Sequence, residues 1–318
     1  MTEQMLVAIQ QSLSDSLTSE VFLKEAGIDR AAAEDALDLC RWGEAIPDLF
    51  PVKGRFTCRQ LFEQCREAMN ALSPEPEEGW MPFTYRFVCH ILYPEADFTE
   101  FAAPYRAGAI LYLTVLRFFF DEERKVVPFD PMVDYQFLTD AEARSFDVGE
   151  EYRRFREAWH REFVYEMMRL NAEVTTFNTL EHIAGVHYVA LTVARGMYKA
   201  GAPVDLALVS GSAAAHDIGK FGCKPNENVP FMHYYYTDIW CRRHDLPYIG
   251  HVAANHSNWD LEPENLSIES LTLIYSDFRV KQSRGPDGIP VTYISTLGEA
   301  FDIILNKLEN VDEKKALR

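Results

Sequence analysis

Apolar residues recur at helical spacing along almost the whole chain, and no alternating run of the kind that builds a sheet persists. A chain patterned this way can bury its apolar stripes only by packing helix on helix, so the expected fold class is all-α. In the first half the spacing marks helices over residues 14–23, 31–39, 57–72, 83–92 and 107–120, with Pro74, Pro76 and Gly79 breaking the chain between them. The segment 107–120, AGAILYLTVLRFFF, is the most apolar; it is short for a bilayer and carries Arg117, which points to a buried helix. Residues 126–137 hold two prolines and read as an irregular excursion.

In the second half, residues 149–173 form a long amphipathic candidate helix. Residues 179–200 follow, with Thr179 as N-cap and Gly201 just beyond the end. Residues 205–215 are apolar and rich in small side chains, and further helices are expected at 232–244, 249–255, 267–276 and 298–308.

Charge divides the chain. Residues 1–150 carry 27 acidic and 13 basic side chains, the remainder 22 and 18, which places a boundary near 147. The expected organisation is an acidic helical N-terminal domain over 1–147 and a second domain over 148–318. A net charge of −18 disfavours broad contact with nucleic-acid backbones. The N-terminus lacks the basic and apolar regions of a signal peptide. The six cysteines form no CxxC pair and read as reduced thiols of a cytoplasmic protein.

Chemistry concentrates after the boundary, because eight of the nine histidines follow residue 159. The strongest local signal is His216-Asp217-Ile218-Gly219-Lys220, directly after the apolar run LALVSGSAAA. Adjacent side chains on a helix point about 100° apart, so His216 and Asp217 can meet one metal only at a helix end or distorted turn. Gly219 permits such a break, and Lys220, one turn beyond, can hold a phosphate oxygen. The chain supplies its own control in His244-Asp245, which lacks the apolar run, the glycine and the lysine and reads as a surface turn.

The larger pattern is His187, 29 residues upstream of His216; His233, 17 downstream; His256, 23 later; and Asp277, 21 after that. In this order the sequence resembles the HD superfamily of metal-dependent phosphohydrolases over about residues 179–285. The HDIGK string is similar to the HD-GYP cyclic-dinucleotide phosphodiesterases, although Asn255-His256-Ser257 replaces their HHE and no GYP follows. The stretch from His256-Ser257 through Leu266-Ser267 and Ser276-Asp277 to Arg284 resembles the HD-type diadenosine tetraphosphate hydrolases.

The resemblance implies a helical bundle with a metal site at its centre. It implies that His187, His216, Asp217 and Asp277 hold one divalent metal, with His182 as the rival to His187. His233 and His256 would complete a second, bridged by Asp217, with His251 competing as a substrate group. The metal is one or two ions of Mn, Fe, Co, Mg or Zn. The implied activity is hydrolysis of a phosphoester or phosphoanhydride, in a nucleotide or dinucleotide, by metal-activated water, with Asp217 and Lys220 catalytic and Lys220, Arg284 and His251 on the substrate. The competing expectation is a catalytically silent HD bundle that senses a nucleotide. The expected partner is a small nucleotide, with no membrane, and with a protein partner possible through 1–147.

Overall fold

The computed structural model describes residues 3–40, 42–49, 55–94, 96–175, 177–256, 266–284, 290–302 and 305–306. Its elements in chain order are α1 (Glu3–Leu17), α2 (Glu20–Ala26), α3 (Arg30–Leu39), α4 (Trp42–Leu49), α5 (Cys58–Leu72), α6 (Trp80–Leu92), α7 (Ala96–Ala102) and α8 (Arg106–Val126). There follow α9 (Asp140–Ala143), α10 (Gly149–Arg161), α11 (Val164–Val174), α12 (Thr179–Lys199), α13 (Leu206–Ala215), α14 (Val229–Arg243), α15 (Pro247–Ala254) and α16 (Ile268–Arg279). A two-stranded antiparallel sheet, β1 (Val280–Arg284) and β2 (Pro290–Ile294), pairs Val280 with Ile294 and Gln282 with Thr292. The fold is predominantly all-α, as expected. No helix among the described residues is long and apolar enough to cross a membrane.

The chain divides into two compact units, but not at residue 147. One unit comprises Met1–Phe129 and Glu162–Phe177, the other Asp130–Arg161 and Asn178–Arg318. The expected long helix over 149–173 is two helices, α10 and α11. They part at Phe163, whose backbone takes the left-handed conformation at φ 55°. No glycine or proline marks that break, so composition could not show it.

In the first unit the apolar run lies in α8, buried along most of its length. Its one internal cation is neutralised: Arg117 pairs with Glu166 at 3.0 Å and lies over the Phe163 ring. Glu123, also on α8 and almost fully buried, accepts from the Phe56 backbone at 2.6 Å and pairs with Arg55 and Arg169, both at 3.0 Å. A carboxylate with this many donors offsets the cost of burying its charge. Thr57 and Gln60 form a capping box that starts α5.

The second unit is built around α13. Every residue of this helix except Leu208 is buried, so it has no polar face to turn to solvent. Its small residues let neighbours close in; a Cβ at Gly211 would stand 2.7 Å from the Ile249 side chain of α15. Helices α12, α15, α16 and α10 pack around it. The irregular stretch expected over 126–137 is observed over residues 127–139, Val126 being the last residue of α8, and its part from Asp130 on belongs to this unit. Phe137 packs on Phe155 and Trp159, and the Leu138 amide donates to the Tyr152 hydroxyl at 3.0 Å. The hairpin was not expected. Its only sequence signals are the β-branched PVTYI and the turn-forming composition of Gly285-Pro286-Asp287-Gly288.

Candidate metal centre

His216 ends α13 as its C-cap, and Asp217 follows outside regular helix at φ −111°, ψ 7°. This is the helix-end geometry that lets neighbouring side chains converge, and His216 Nε2 lies 3.4 Å from Asp217 Oδ2. A 3-10 turn over Ile218–Gly222 packs against α14. Gly219 is needed there for space, with φ in the ordinary region: a Cβ would stand 1.9 Å from the His233 carbonyl oxygen and 2.5 Å from the Thr237 amide nitrogen. Thr237 fastens the turn, accepting from the Gly219 amide at 3.1 Å and donating to the His216 carbonyl at 3.2 Å.

Three of the surrounding histidines are oriented in the same way. The Nδ1–H of His216 donates to the Ala213 carbonyl at 2.8 Å, that of His233 to Val229 at 2.7 Å, and that of His256 to Ala253 at 2.6 Å. A carbonyl can only accept, so each bond fixes the proton on Nδ1 and, in the neutral ring, leaves Nε2 as a lone pair. Those Nε2 atoms turn toward Asp217. His233 lies 3.5 Å and His256 3.9 Å from its Oδ1. His233 and His256 face each other Nε2 to Nε2 at 3.5 Å. Two facing lone pairs repel unless a proton or a cation lies between them.

The fourth histidine is His182, in the first turn of α12, where Asn178 and not Thr179 is the N-cap. His182 Nε2 lies 3.2 Å from Asp217 Oδ2, 3.1 Å from Asp277 Oδ1 and 3.4 Å from His216 Nε2. Two groups of ligand atoms result, each within 4.8 Å internally: His182, His216 and Asp217, and Asp217, His233 and His256. Asp217 belongs to both, one oxygen toward each.

Burial dominates the electrostatics. It disfavours charge on Asp217, yet Lys220, His216 and a hydrogen bond from His182 hold that carboxyl well below the ordinary range. Burial likewise opposes charge on Asp277, which His182 nevertheless keeps ionised. Burial pushes His256 down to about 4 and His233 below its usual value, so both are neutral near pH 7. For His182 burial is outweighed by Asp217 and Asp277, which raise it to about 9. Lys220 extends from the 3-10 turn to pair with Asp217 Oδ2.

The structure therefore brings together His216, Asp217, Lys220, His233, His256 and Asp277 from the expected set. It does not bring His187. That residue is wholly buried in the core of its unit, where Nε2 meets Ser210 Oγ at 3.0 Å and the rings of Tyr135 and Phe137 lie 5.2 Å away. Burial lowers it to about 3, so it stays neutral. His182 takes the place expected of His187. The signal was present: Leu180, Ile183, Ala184, His187, Leu191 and Ala194 form one apolar stripe at helical spacing, and His187 sits in its middle. His251 is exposed on α15 and accepts from Asn255 Nδ2 at 3.4 Å, outside both ligand groups. Arg284 ends β1, and its side chain lies outside the described part, as do Ser257 and Trp259. The control pair is a turn: His244 caps α14 and exposed Asp245 has φ 55°.

A scan against protein-family models, a search of curated proteins and a search of solved structures returned no match for this chain.

Proposed function

We propose that this chain is a metal-dependent phosphohydrolase of the HD type, acting on a phosphoester or phosphoanhydride of a nucleotide. The observation that carries the reading is the common orientation of His216, His233 and His256. Each is held by a backbone carbonyl so that its free nitrogen faces the same buried carboxylate, Asp217. Imidazole and carboxylate together suit Mn, Fe, Co or Zn, and a hydrogen bond on the far nitrogen of each ring is what a metal-binding histidine ordinarily has. His182, His216, Asp217 and Asp277 would hold one ion. Asp217, His233 and His256 would hold a second.

When bound, such an ion supplies Lewis-acid charge to phosphoryl oxygens and makes water acidic enough to act as a nucleophile near neutral pH. The chain's own groups do the rest. Asp217 offers an oxygen to each histidine pair and fixes both pairs to one origin. Lys220 brings a positive charge to the same carboxylate, where it can also neutralise a phosphoryl oxygen. Helix α13 and the Gly219 turn are buried beside the cluster, and the lower dielectric on that side strengthens these interactions.

The test is elemental analysis of the purified protein beside a panel of nucleotide phosphoesters and phosphoanhydrides assayed with Mn, Fe, Co, Mg and Zn. At least one transition metal per chain and metal-dependent turnover are expected. Absence of any bound metal, with no turnover after any addition, overturns the reading. Metal and nucleotide bound without turnover would instead favour a silent sensing bundle.

A further inference from the structure

The first unit holds a cavity of its own, about 390 Å³ in volume, between α6 and the corner where α7 gives way to α8. Its walls are mostly apolar: Phe87 and Ile91 from α6, Pro94 from the connection, Phe98 and Ala102 from α7. The Phe98 ring stacks on that of His90 at 3.6 Å and 9°, which pins α7 to α6 and sets this wall before any ligand arrives. The volume lies within the range of small-molecule sites, about 300–1,000 Å³. One lining residue differs in kind from these walls. Arg106, the first residue of α8, is exposed and borders the cavity. Its Nε donates to the Glu25 carbonyl at 2.7 Å, which fixes the guanidinium without neutralising it. Elsewhere in the unit Arg30, Arg55, Arg66, Arg86, Arg117 and Arg124 each pair with a carboxylate. Arg106 has no such partner among the described residues, although this part of the chain is rich in acidic side chains.

An apolar cavity beside an unneutralised guanidinium calls for a ligand with the same two parts. The carbon body leaves water for the cavity, while the charged end stays at the exposed rim, where its desolvation costs little. A guanidinium fork matches a carboxylate, and with Nε engaged the two terminal nitrogens still carry donors. One positive charge balances one negative charge, so a doubly charged phosphate is the poorer match. We propose that this cavity binds a small monocarboxylic acid with an apolar body, its chain against Phe87, Ile91 and Phe98 and its carboxylate on Arg106. The site gives the first unit, which supplies none of the metal-facing residues, a ligand of its own. The proposal is independent of the phosphohydrolase reading.

The experiment uses the full chain with two probes, octanoate and octanol, the second having the same carbon chain without the carboxylate. Calorimetry reads affinity and a thermal melt reads folding. Octanoate should bind with a Kd of about 1 mM or tighter. Octanol should bind about tenfold more weakly, the worth of one hydrogen-bonded contact to a charged group. Arg106→Gln should lower octanoate affinity about tenfold and leave octanol affinity within about twofold of wild type. Ala103 also lines the cavity, from an exposed position in the 3-10 turn Ala103–Tyr105. Ala103→Trp should fill the cavity and abolish binding of both probes at an unchanged thermal midpoint, and it reads the cavity without disturbing the Glu25 contact. A wild type that binds no octanoate, or binds octanol equally well, overturns the proposal. So does an octanoate affinity unchanged in Arg106→Gln, or binding that survives Ala103→Trp.

Discussion

His182 and His187 lie five residues apart on α12, about 140° around the helix, so one helix face cannot present both to the same metal. Their surroundings assign opposite protonation: His182 is flanked by two carboxylates, His187 by a hydroxyl and two aromatic rings. We expect His182→Ala to lower metal content and catalysis at least tenfold while the protein stays folded. His187→Ala should cost about 2–4 kcal/mol of stability through the cavity it leaves and spare metals per chain. Elemental analysis and denaturant melts of the two variants check this; metal loss confined to His187→Ala reverses the assignment. His187 also predicts an acid dependence. Its value is about 3 when folded against 6.5 as the ordinary reference, so between those values the unfolded chain binds the extra proton. Its contribution is constant above about pH 6.5 and is lost as pH falls toward 3, with a slope of up to about 1.4 kcal/mol per pH unit. A His187→Asn variant, melted at pH 4.5, 5.5 and 7, should lose stability with acid less steeply than wild type; parallel curves contradict the buried neutral histidine.

At the scale of elements, the junction of α13, the Gly219 turn and α14 sets the distance between the two histidine pairs. His216 hangs from one side of it and His233 from the other, and the Thr237 hydroxyl on α14 ties the two sides by accepting from the Gly219 amide and donating to the His216 carbonyl. A methyl at Gly219 would meet backbone atoms that cannot rotate away. Gly219→Ala should therefore push α14 outward, destabilise the protein by about 3 kcal/mol or more and reduce second-metal occupancy, read by metal titration and thermal melting. A wild-type melt with full occupancy would show that α14 moves freely there. Thr237→Val keeps the volume and removes both hydrogen bonds, and should cost about 1–3 kcal/mol by the same melt.

For the whole molecule, the division into units makes a different prediction from the charge profile. A fragment starting at 148 omits Leu138, which is buried, and Phe137, which packs on Phe155, Trp159 and His187. A fragment starting at 130 retains them. The 130–318 fragment should be the more stable of the two by about 2–5 kcal/mol, the cost of losing one large buried side chain. Chemical denaturation of both decides it, and equal midpoints would place the boundary nearer 147.

Much of this protein follows from periodicity. Helical spacing specified the fold class, because apolar stripes at 3.6-residue intervals can be buried only by other helices. The order of His216, Asp217, His233, His256 and Asp277 marked out the cluster only through the family resemblance it carries, because no local spacing rule brings residues 17 to 23 positions apart together. Tertiary structure decided the rest. Which α12 histidine faces Asp217 depends on how that helix is rotated against α13. The break at Phe163 and the return of 162–177 to the first unit depend on long-range packing that leaves no glycine or proline behind. The role of Gly219 is set by a backbone 14 or more residues further along the chain, that of His233 and Thr237, whose approach no local pattern encodes.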